Sequence, residues 1–256
     1  MAGFFLALQF LTVLPVRRKQ TAGDAPRMER ALPWFPLVGA LLGGMLAAGD
    51  WVLSGLFPHD VRDIFLVAAT ALLTGMLHMD GFIDCCDALL GTRPVERRLE
   101  ILRDSRVGAY GAVGAALLVL ARFVALGALA PPLRALALIA APALGRWSIV
   151  YAVVSYPYAR AAGAGSAFQA RRYHLLLASL VAIALLAGCS GLAGGYVPRN
   201  LLIVAALAAL ALLVTLGWTR WASRRLGGGL TGDTYGALNE LVELSVLFAA
   251  PLLARL

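Results

Sequence analysis

Three aspartates in the run H-M-D-G-F-I-D-C-C-D-A are the first residues whose spacing suggests chemistry. Asp80, Asp84 and Asp87 are four and then three residues apart, so on a helix they share an arc of about 60°. The flanking residues are apolar, and each charge near lipid costs about 2.5–3.5 kcal/mol at mid-span depth. A divalent cation offsets that cost, and hard oxygen ligands favour Mg²⁺ or Mn²⁺. We predict metal binding here; a solvated acidic stripe is the alternative.

A second acidic segment lies near the other end of the chain, in G-G-G-L-T-G-D-T-Y-G-A-L-N-E-L-V-E. Its glycines predict a flexible loop whose backbone N–H groups can approach phosphate oxygens, and we expect Gly232 to contact the substrate. Asp233 follows and is predicted as a further metal ligand. Glu240 and Glu243 share its helix face. An ordinary glycine turn with a helix-capping aspartate is the alternative.

Arginines accompany both acidic segments. Arg103 and Arg106 flank Asp104, and Arg160 precedes a glycine-containing stretch. Arginine binds phosphate through two parallel hydrogen bonds, so we predict that these three side chains hold an anionic substrate. A cytoplasmic helix with lipid-facing arginines is the alternative. Carboxylates, arginines and glycine turns together suit phosphoryl transfer, in which we assign Asp84 and Asp104 as the catalytic carboxylates.

The elements that position these residues are predicted to be membrane helices. Of the 256 residues, 61% are hydrophobic and only 14% are charged, too few to cover a soluble domain of this size. Several apolar blocks reach the roughly 20 residues needed to cross a bilayer. We therefore predict an all-α, polytopic helical bundle forming one domain over residues 1–256. A short apolar segment at 4–16, whose crossing stays open, precedes about seven spans: 34–56, 64–79, 108–130, 135–155, 174–194, 200–218 and 236–254.

The basic residues predict the orientation of these spans. Sixteen of the 22 lysines and arginines fall in alternate loops, four fall on the other side, and Arg122 and Arg146 fall within spans. By the positive-inside rule the basic loops are cytoplasmic, and both acidic segments lie at that face. The net charge of +8 is thus explained by topology and lipid contacts rather than by nucleic acid. The basic loops are 17–33, 80–107, 156–173 and 219–235.

Several of these stretches resemble one known family. The run L-T-G-M-L-H-M-D-G-F-I-D-C-C-D-A-L-L-G at 73–91 is similar to the signature of the cobalamin synthase family, as is R-R-L-E-I-L-R-D-S-R-V-G-A-Y-G at 97–111. Shorter matches keep the family's order along nearly the whole chain. They are F-L-T-V-L-P-V at 10–16, W-F-P-L-V-G at 34–39, G-R-W at 145–147 and G-D-T-Y-G-A-L-N-E at 232–240.

The resemblance implies the last joining step of the lower ligand of vitamin B12. Adenosylcobinamide-GDP and α-ribazole, or its 5′-phosphate, would give adenosylcobalamin or its phosphate, with Mg²⁺ required and GMP released. It also implies the cytoplasmic membrane of a bacterium; a homo-oligomer is possible. Two alternatives stay open. A CDP-alcohol phosphotransferase also uses spaced aspartates, but its usual D-G-x-x-A-R motif is absent. A solute transporter would place lone ionisable groups near mid-membrane, whereas most acids of this chain are expected at one face and only Asp50, Arg122 and Arg146 within the membrane.

Overall fold

A computed structural model describes residues 2–15, 28–160, 168, 170–193 and 197–253 of the chain, and these are almost entirely helical. A 3₁₀ turn over Met28–Trp34 leads into the second helix, and another over Ser190–Ala193 follows the eighth. The ten helices are α1 Ala2–Leu11, α2 Phe35–Leu53, α3 His59–Leu73, α4 Leu77–Leu89, α5 Val95–Ile101, α6 Ala109–Gly127, α7 Pro131–Ser155, α8 Arg172–Cys189, α9 Val197–Arg225 and α10 Gly232–Leu253.

The predicted all-α membrane architecture is confirmed. Six helical segments are long and apolar enough to cross a bilayer, and the bent pair α3–α4 makes up to seven. Helix α1 has ten residues, or about 15 Å at 1.5 Å per residue, about half the thickness of the hydrocarbon core. When each span crosses once, the N-termini of α2, α6, α8 and α10 share one end of the bundle with the C-termini of α7 and α9. We call this the site end.

The predicted span 64–79 is wrong as a single straight helix. The chain turns by 90° between α3 and α4. Gly75 and Met76 make the turn, each with φ of 58°, a left-handed conformation that glycine adopts freely and other residues rarely. Residues 80–89, which we predicted to begin a cytoplasmic loop, consequently belong to α4. The bend presents the aspartates of α4 to other helices instead of continuing the axis of α3.

Glycines bring α2 against α7, the most buried of the spanning helices. A Cβ atom on Gly39 would meet the backbone of Pro142 and Ala143, and one on Gly43 would meet the backbone of Leu138. The two glycines, four residues apart, therefore act within one chain, as small residues do where membrane helices approach closely. With α10 packed on another side, α7 forms the centre of the core.

The end of the bundle opposite the site end carries a buried ion network of its own. Arg134 donates from Nε to Asp50 (2.8 Å) and from Nη2 to Asp63, and Arg62 adds a second ion pair to Asp50 (2.8 Å). Asp50 was expected to be embedded, and it is; Arg134 and Asp63 are also buried, at 2% and 0% exposure. The network ties α2, α3 and α7 together.

Candidate active site

Two glycines let α4 and α10 touch, and this contact brings the acidic segments together. A Cβ atom on Gly81 would lie 2.7 Å from the backbone oxygen of Asp233, and one on Gly236 would lie 3.0 Å from that of His78. No larger residue fits at Gly81 without moving one helix. Asp80 and Asp84 of α4 consequently face the first turn of α10, where Asp233 stands.

A cavity of about 140 Å³ opens beside this contact, between α1, α4, α7 and α10. One wall is polar and carries Asp80, Asp233 and the glycines at 81, 232 and 236. Gly232 therefore lies where sequence analysis expected it, next to the carboxylates. The rest of the lining is apolar and partly aromatic, and it is formed by Phe10, Leu77, Ile149, Phe168 and Tyr235.

Arg160 is delivered to this cluster by a short backbone pairing. Ala159 N–H donates to the Leu230 carbonyl (2.8 Å), and Leu230 N–H donates to the Pro157 carbonyl (3.0 Å). Arg160 Nη2 then donates to Asp233 Oδ2 (2.7 Å) and to the carbonyl of Leu102 (2.9 Å). The guanidinium thus partly neutralises the acidic cluster and joins three distant segments of the chain.

The carboxylates of Asp80 and Asp84 have free oxygens. Among the residues that the structure describes, neither accepts a hydrogen bond, and Asp84 lies within electrostatic range of Asp80, Asp87 and Asp233. Asp233 uses Oδ2 for Arg160 and Thr231, which leaves Oδ1 free within the same described part. Neighbouring carboxylates with oxygens that bind no protein group are the donor set that a hard divalent cation fits.

These three carboxylates are nevertheless less tightly grouped than another set. Within the described ranges, the three candidate ligands whose atoms lie within 4.8 Å of one another are His59, Asp60 and Asp63, at the opposite end of the bundle. There His59 already contacts Asp63 (3.1 Å) and Arg134 (3.1 Å), so its two ring nitrogens are engaged. The looser spacing around Asp84 leaves room for phosphate oxygens to share a cation.

Asp87, predicted as a metal ligand, has another partner in the structure. Its Oδ2 accepts from Gly108 N–H (2.8 Å) and its Oδ1 from Gly111 N–H (2.9 Å). N–H groups at the start of a helix have no acceptor within the helix, and the helix dipole there also favours a negative charge. Side chains at Gly108 or Gly111 would collide with the carboxylate. Asp87 thereby fixes α6 to α4; its role as a ligand stays a prediction.

Asp104 is held by its neighbour rather than by the cluster. Arg106 forks onto it with Nε and Nη2, at 2.6–3.1 Å, and this pairing lowers the pKa of the Asp104 carboxyl to about 2. The Arg106 side chain is 86% exposed, and the exposed side chain of Arg103 makes no hydrogen bond to the residues that the structure describes. The structure does not bring these three side chains into the cavity, although the carbonyl of neighbouring Leu102 accepts from Arg160.

Sequence analysis missed a buried network directly beneath the cavity. Arg122 donates to Glu240 (2.6 Å) and Glu243 (2.7 Å), and Arg146 pairs with Glu243 as well. Glu240 and Glu243, which the sequence placed on the same helix face as Asp233, therefore neutralise the two arginines within spans instead of joining the acidic cluster. The signal was available in the sequence, because two embedded cations and two acids on the last helix balance each other.

His78 connects this network with the cavity that it lines. Arg146 Nη2 lies 3.4 Å from His78 Nδ1, and because arginine can only donate, Nδ1 must be the acceptor. The ring proton is therefore on Nε2, which is buried and has no partner in the described part of the chain. His78 is thus a buried N–H donor beside the carboxylates, oriented through Arg146.

The fold and the site together define a multi-pass helical membrane protein with an acidic, arginine-containing centre at one end of its bundle. The model of the cobalamin-5-phosphate synthase family matches residues 3–251, and the chain belongs to this family. The resemblance noted in the sequence is thereby confirmed, and it is favoured over both the CDP-alcohol phosphotransferase and the transporter.

Relatives of the chain cover almost its whole length. An adenosylcobinamide-GDP ribazoletransferase of Roseiflexus sp. (strain RS-1) is 41% identical over 249 residues, 94% of this chain and 86% of the relative. Enzymes of the same name from Desulforamulus reducens and Klebsiella pneumoniae subsp. pneumoniae are 37% and 38% identical. These two alignments cover 95% and 96% of this chain, and 93% and 98% of the respective relatives. No solved structure matches the chain.

Proposed function

We propose that the protein joins adenosylcobinamide-GDP to α-ribazole or α-ribazole 5′-phosphate. The products are adenosylcobalamin or its 5′-phosphate, and GMP. The single observation that carries the proposal is the cavity that Asp80 and Asp233 line, with Arg160 bound to Asp233 and Asp84 within electrostatic range of both aspartates. That arrangement suits a reaction at a diphosphate, and the named relatives supply the substrates.

We propose Mg²⁺ as the cofactor, held by Asp80, Asp84 and Asp233. Their free oxygens are hard ligands, and their separation suits a cation shared with the diphosphate rather than one enclosed by protein alone. When bound, Mg²⁺ would neutralise the diphosphate and the charge that develops on the leaving GMP. Asp87 contributes to the negative field at this site while its oxygens hold the start of α6.

The protein's own groups would position the reactants. Arg160 can turn part of its guanidinium from Asp233 to a phosphate oxygen, and the backbone at Gly232 can approach that phosphate closely. The ribazole hydroxyl oxygen attacks the phosphorus attached to cobinamide, the bond from that phosphorus to the GMP oxygen breaks with its electron pair going to GMP, and the hydroxyl proton passes to the Asp84 carboxylate. Asp84 is the catalytic carboxylate we favour, because its oxygens are unpaired in the described structure. Arg103 and Arg106 stay proposed contacts for the outer part of the substrate.

We also propose the location of the enzyme. The positive-inside rule orients the site end toward the cytoplasm, where nucleotide-activated substrates are made, and the bacterial relatives suggest the cytoplasmic membrane. A homo-oligomer is compatible with this arrangement.

The test is release of GMP by the purified protein in detergent. We expect GMP and a cobalamin product in equal amounts from adenosylcobinamide-GDP, α-ribazole and Mg²⁺, and no turnover when EDTA replaces Mg²⁺. Asp84→Asn should abolish turnover at ordinary Mg²⁺ and recover part of it at raised Mg²⁺, because a site missing one charge binds the cation more weakly. Glu96→Gln, on the cytoplasmic helix α5, is the matched control and should stay active. An active wild type with fully active Asp84→Asn would remove Asp84 from the site.

A further inference from the structure

The apolar wall of the site cavity is built from aromatic rings that hold each other in place. Phe10 stacks on Phe35 with ring centroids 5.9 Å apart and planes 19° from parallel. Phe168 meets both rings edge-on, at 5.6 Å from Phe10 and 6.2 Å from Phe35. Phe35 is fully buried and anchors the group. Phe10 and Phe168 therefore form an aromatic wall of the cavity that Asp80 and Asp233 also line.

We propose that this aromatic wall binds the benzimidazole ring of α-ribazole, with Phe10 as the principal contact. The inference rests on the proposed function, and it assigns the acceptor's base to a position that the function alone does not specify. Base rings stack on aromatic side chains, and a nucleoside bound there would place its ribose between the ring and the carboxylates. The hydroxyl that attacks would then lie on the acidic side of the cavity.

Size and polarity select this ring among the parts of the two substrates. A cavity of about 140 Å³ admits a bicyclic ring and excludes a corrin macrocycle. Guanine would bring several edge donors and acceptors into a wall of Phe10, Ile149 and Phe168, where they would stay unpaired. Dimethylbenzimidazole has two methyl groups and, once attached to ribose, one free ring nitrogen that accepts a hydrogen bond.

Tyr235 supplies the matching donor. Its ring lines the cavity and is 7% exposed, and its hydroxyl makes no hydrogen bond to any residue that the structure describes. One unpaired O–H donor beside an apolar wall suits a ring with one acceptor nitrogen. Phe10 would thus contribute affinity by stacking, and Tyr235 would contribute selectivity for a base with a nitrogen at that position.

Steady-state kinetics with each substrate varied separately tests the assignment. Phe10→Ala should raise KM for α-ribazole about tenfold or more, within the range of one base–aromatic stack, and leave KM for adenosylcobinamide-GDP within about twofold. Phe10→Leu keeps the apolar volume and loses the flat face, so it should show a smaller shift in the same direction. Phe65→Ala is the matched control, because Phe65 pairs with Phe57 on the α3 side of the bundle, outside the cavity. All variants are compared as detergent-purified, monodisperse protein.

A second ligand separates Tyr235 from a general packing role. The wild type should prefer α-ribazole to its indole analogue, which lacks the ring nitrogen, and Tyr235→Phe should remove that preference by raising KM for α-ribazole toward KM for the analogue. If Phe10→Ala changed KM for adenosylcobinamide-GDP alone, the aromatic wall would bind guanine instead, and the proposal would be overturned. Unchanged KM values for both substrates in Phe10→Ala and Phe10→Leu would also overturn it. A wild type that forms no cobalamin product would instead contradict the proposed function.

Discussion

Removal of Glu243 is the sharpest test of the buried network beneath the cavity. Its carboxylate accepts from Arg122 (2.7 Å), from Asn239 (2.9 Å) and from Arg146, and it is 2% exposed. Glu243→Leu leaves two buried arginines with one glutamate, Glu240. Hydrogen bonds to a charged group contribute about 1.5–3 kcal/mol each, so the three bonds to Glu243 would suggest a larger loss. That sum overestimates the effect, because Arg122 still pairs with Glu240. Breaking one buried pair typically costs about 3–5 kcal/mol, and we expect a loss in that range.

The double variant Glu243→Leu/Arg146→Leu distinguishes a charge effect from a packing effect. It leaves one arginine and one glutamate, so the buried charges balance again. Replacing both members of a buried ion pair by apolar residues is often nearly neutral, and we expect the double variant to recover most of the stability that the single variant loses. Glu100→Leu is the control, because its pair with Arg97 is about 60% exposed and such pairs contribute below about 1 kcal/mol.

Reversible unfolding by SDS in mixed micelles, followed by tryptophan fluorescence, measures these differences. Trp147 lies next to Arg146 and reports on this part of α7. Arg146→Leu is measured alone as well. A loss below about 1 kcal/mol in Glu243→Leu would refute the charge effect, and so would losses of Glu243→Leu and Arg146→Leu that simply add in the double variant.

Four further outcomes are expected. Asp87→Asn exchanges a carboxylate for an amide that can accept only one of the two α6 N–H bonds, so unfolding free energy should fall by about 1.5–3 kcal/mol; unchanged stability would contradict this. Gly81→Ala should reduce activity and cost about 1–3 kcal/mol in the same assay, because its Cβ meets the backbone of Asp233. Since the Asp104 pKa is lowered to about 2, its carboxylate stays charged above pH 4, and any stability it contributes is lost only as pH falls through about 2; the pH–rate profile of Asp104→Asn between pH 6 and 9 should match that of the wild type in shape. Cysteine at Ser105 should resist impermeant thiol reagents added to intact cells, whereas cysteine at Ser54 should react.

The sequence predicted the helical membrane architecture well because bilayer crossing imposes a length and an apolar composition that are visible residue by residue. It did not predict the bend at Gly75 and Met76. A glycine is common in membrane helices, and only the left-handed φ of Met76, set by the packing around it, separates a bend from a continuous span. Helix α9 was predicted too short because its arginine-containing last turns continue beyond the apolar block.

The site was predicted in part for a similar reason. Spacing on one helix identified Asp80 and Asp84, and their shared membrane face with Asp233 suggested that they meet. Spacing could not show that Asp87 turns to the start of α6, since an i+7 residue lies on the same face whether it binds a cation or backbone amides. The position of Arg160 depends on backbone pairing between segments that are distant along the chain. Local sequence patterns do not predict such pairing.

The ion pairs of α10 also bear on how the protein is made. Arg122 and Arg146 leave the ribosome on α6 and α7, well before the glutamates that neutralise them. On the scale of membrane insertion each arginine at mid-bilayer costs about 2.5–3.5 kcal/mol, so α6 and α7 enter the lipid with a deficit that only the last described helix can cancel. Nascent chains that stop short of Gly232 would expose two uncompensated cations, a feature that membrane proteases can act on. We therefore expect a chain that ends before α10 to be less stable in the membrane than the whole chain.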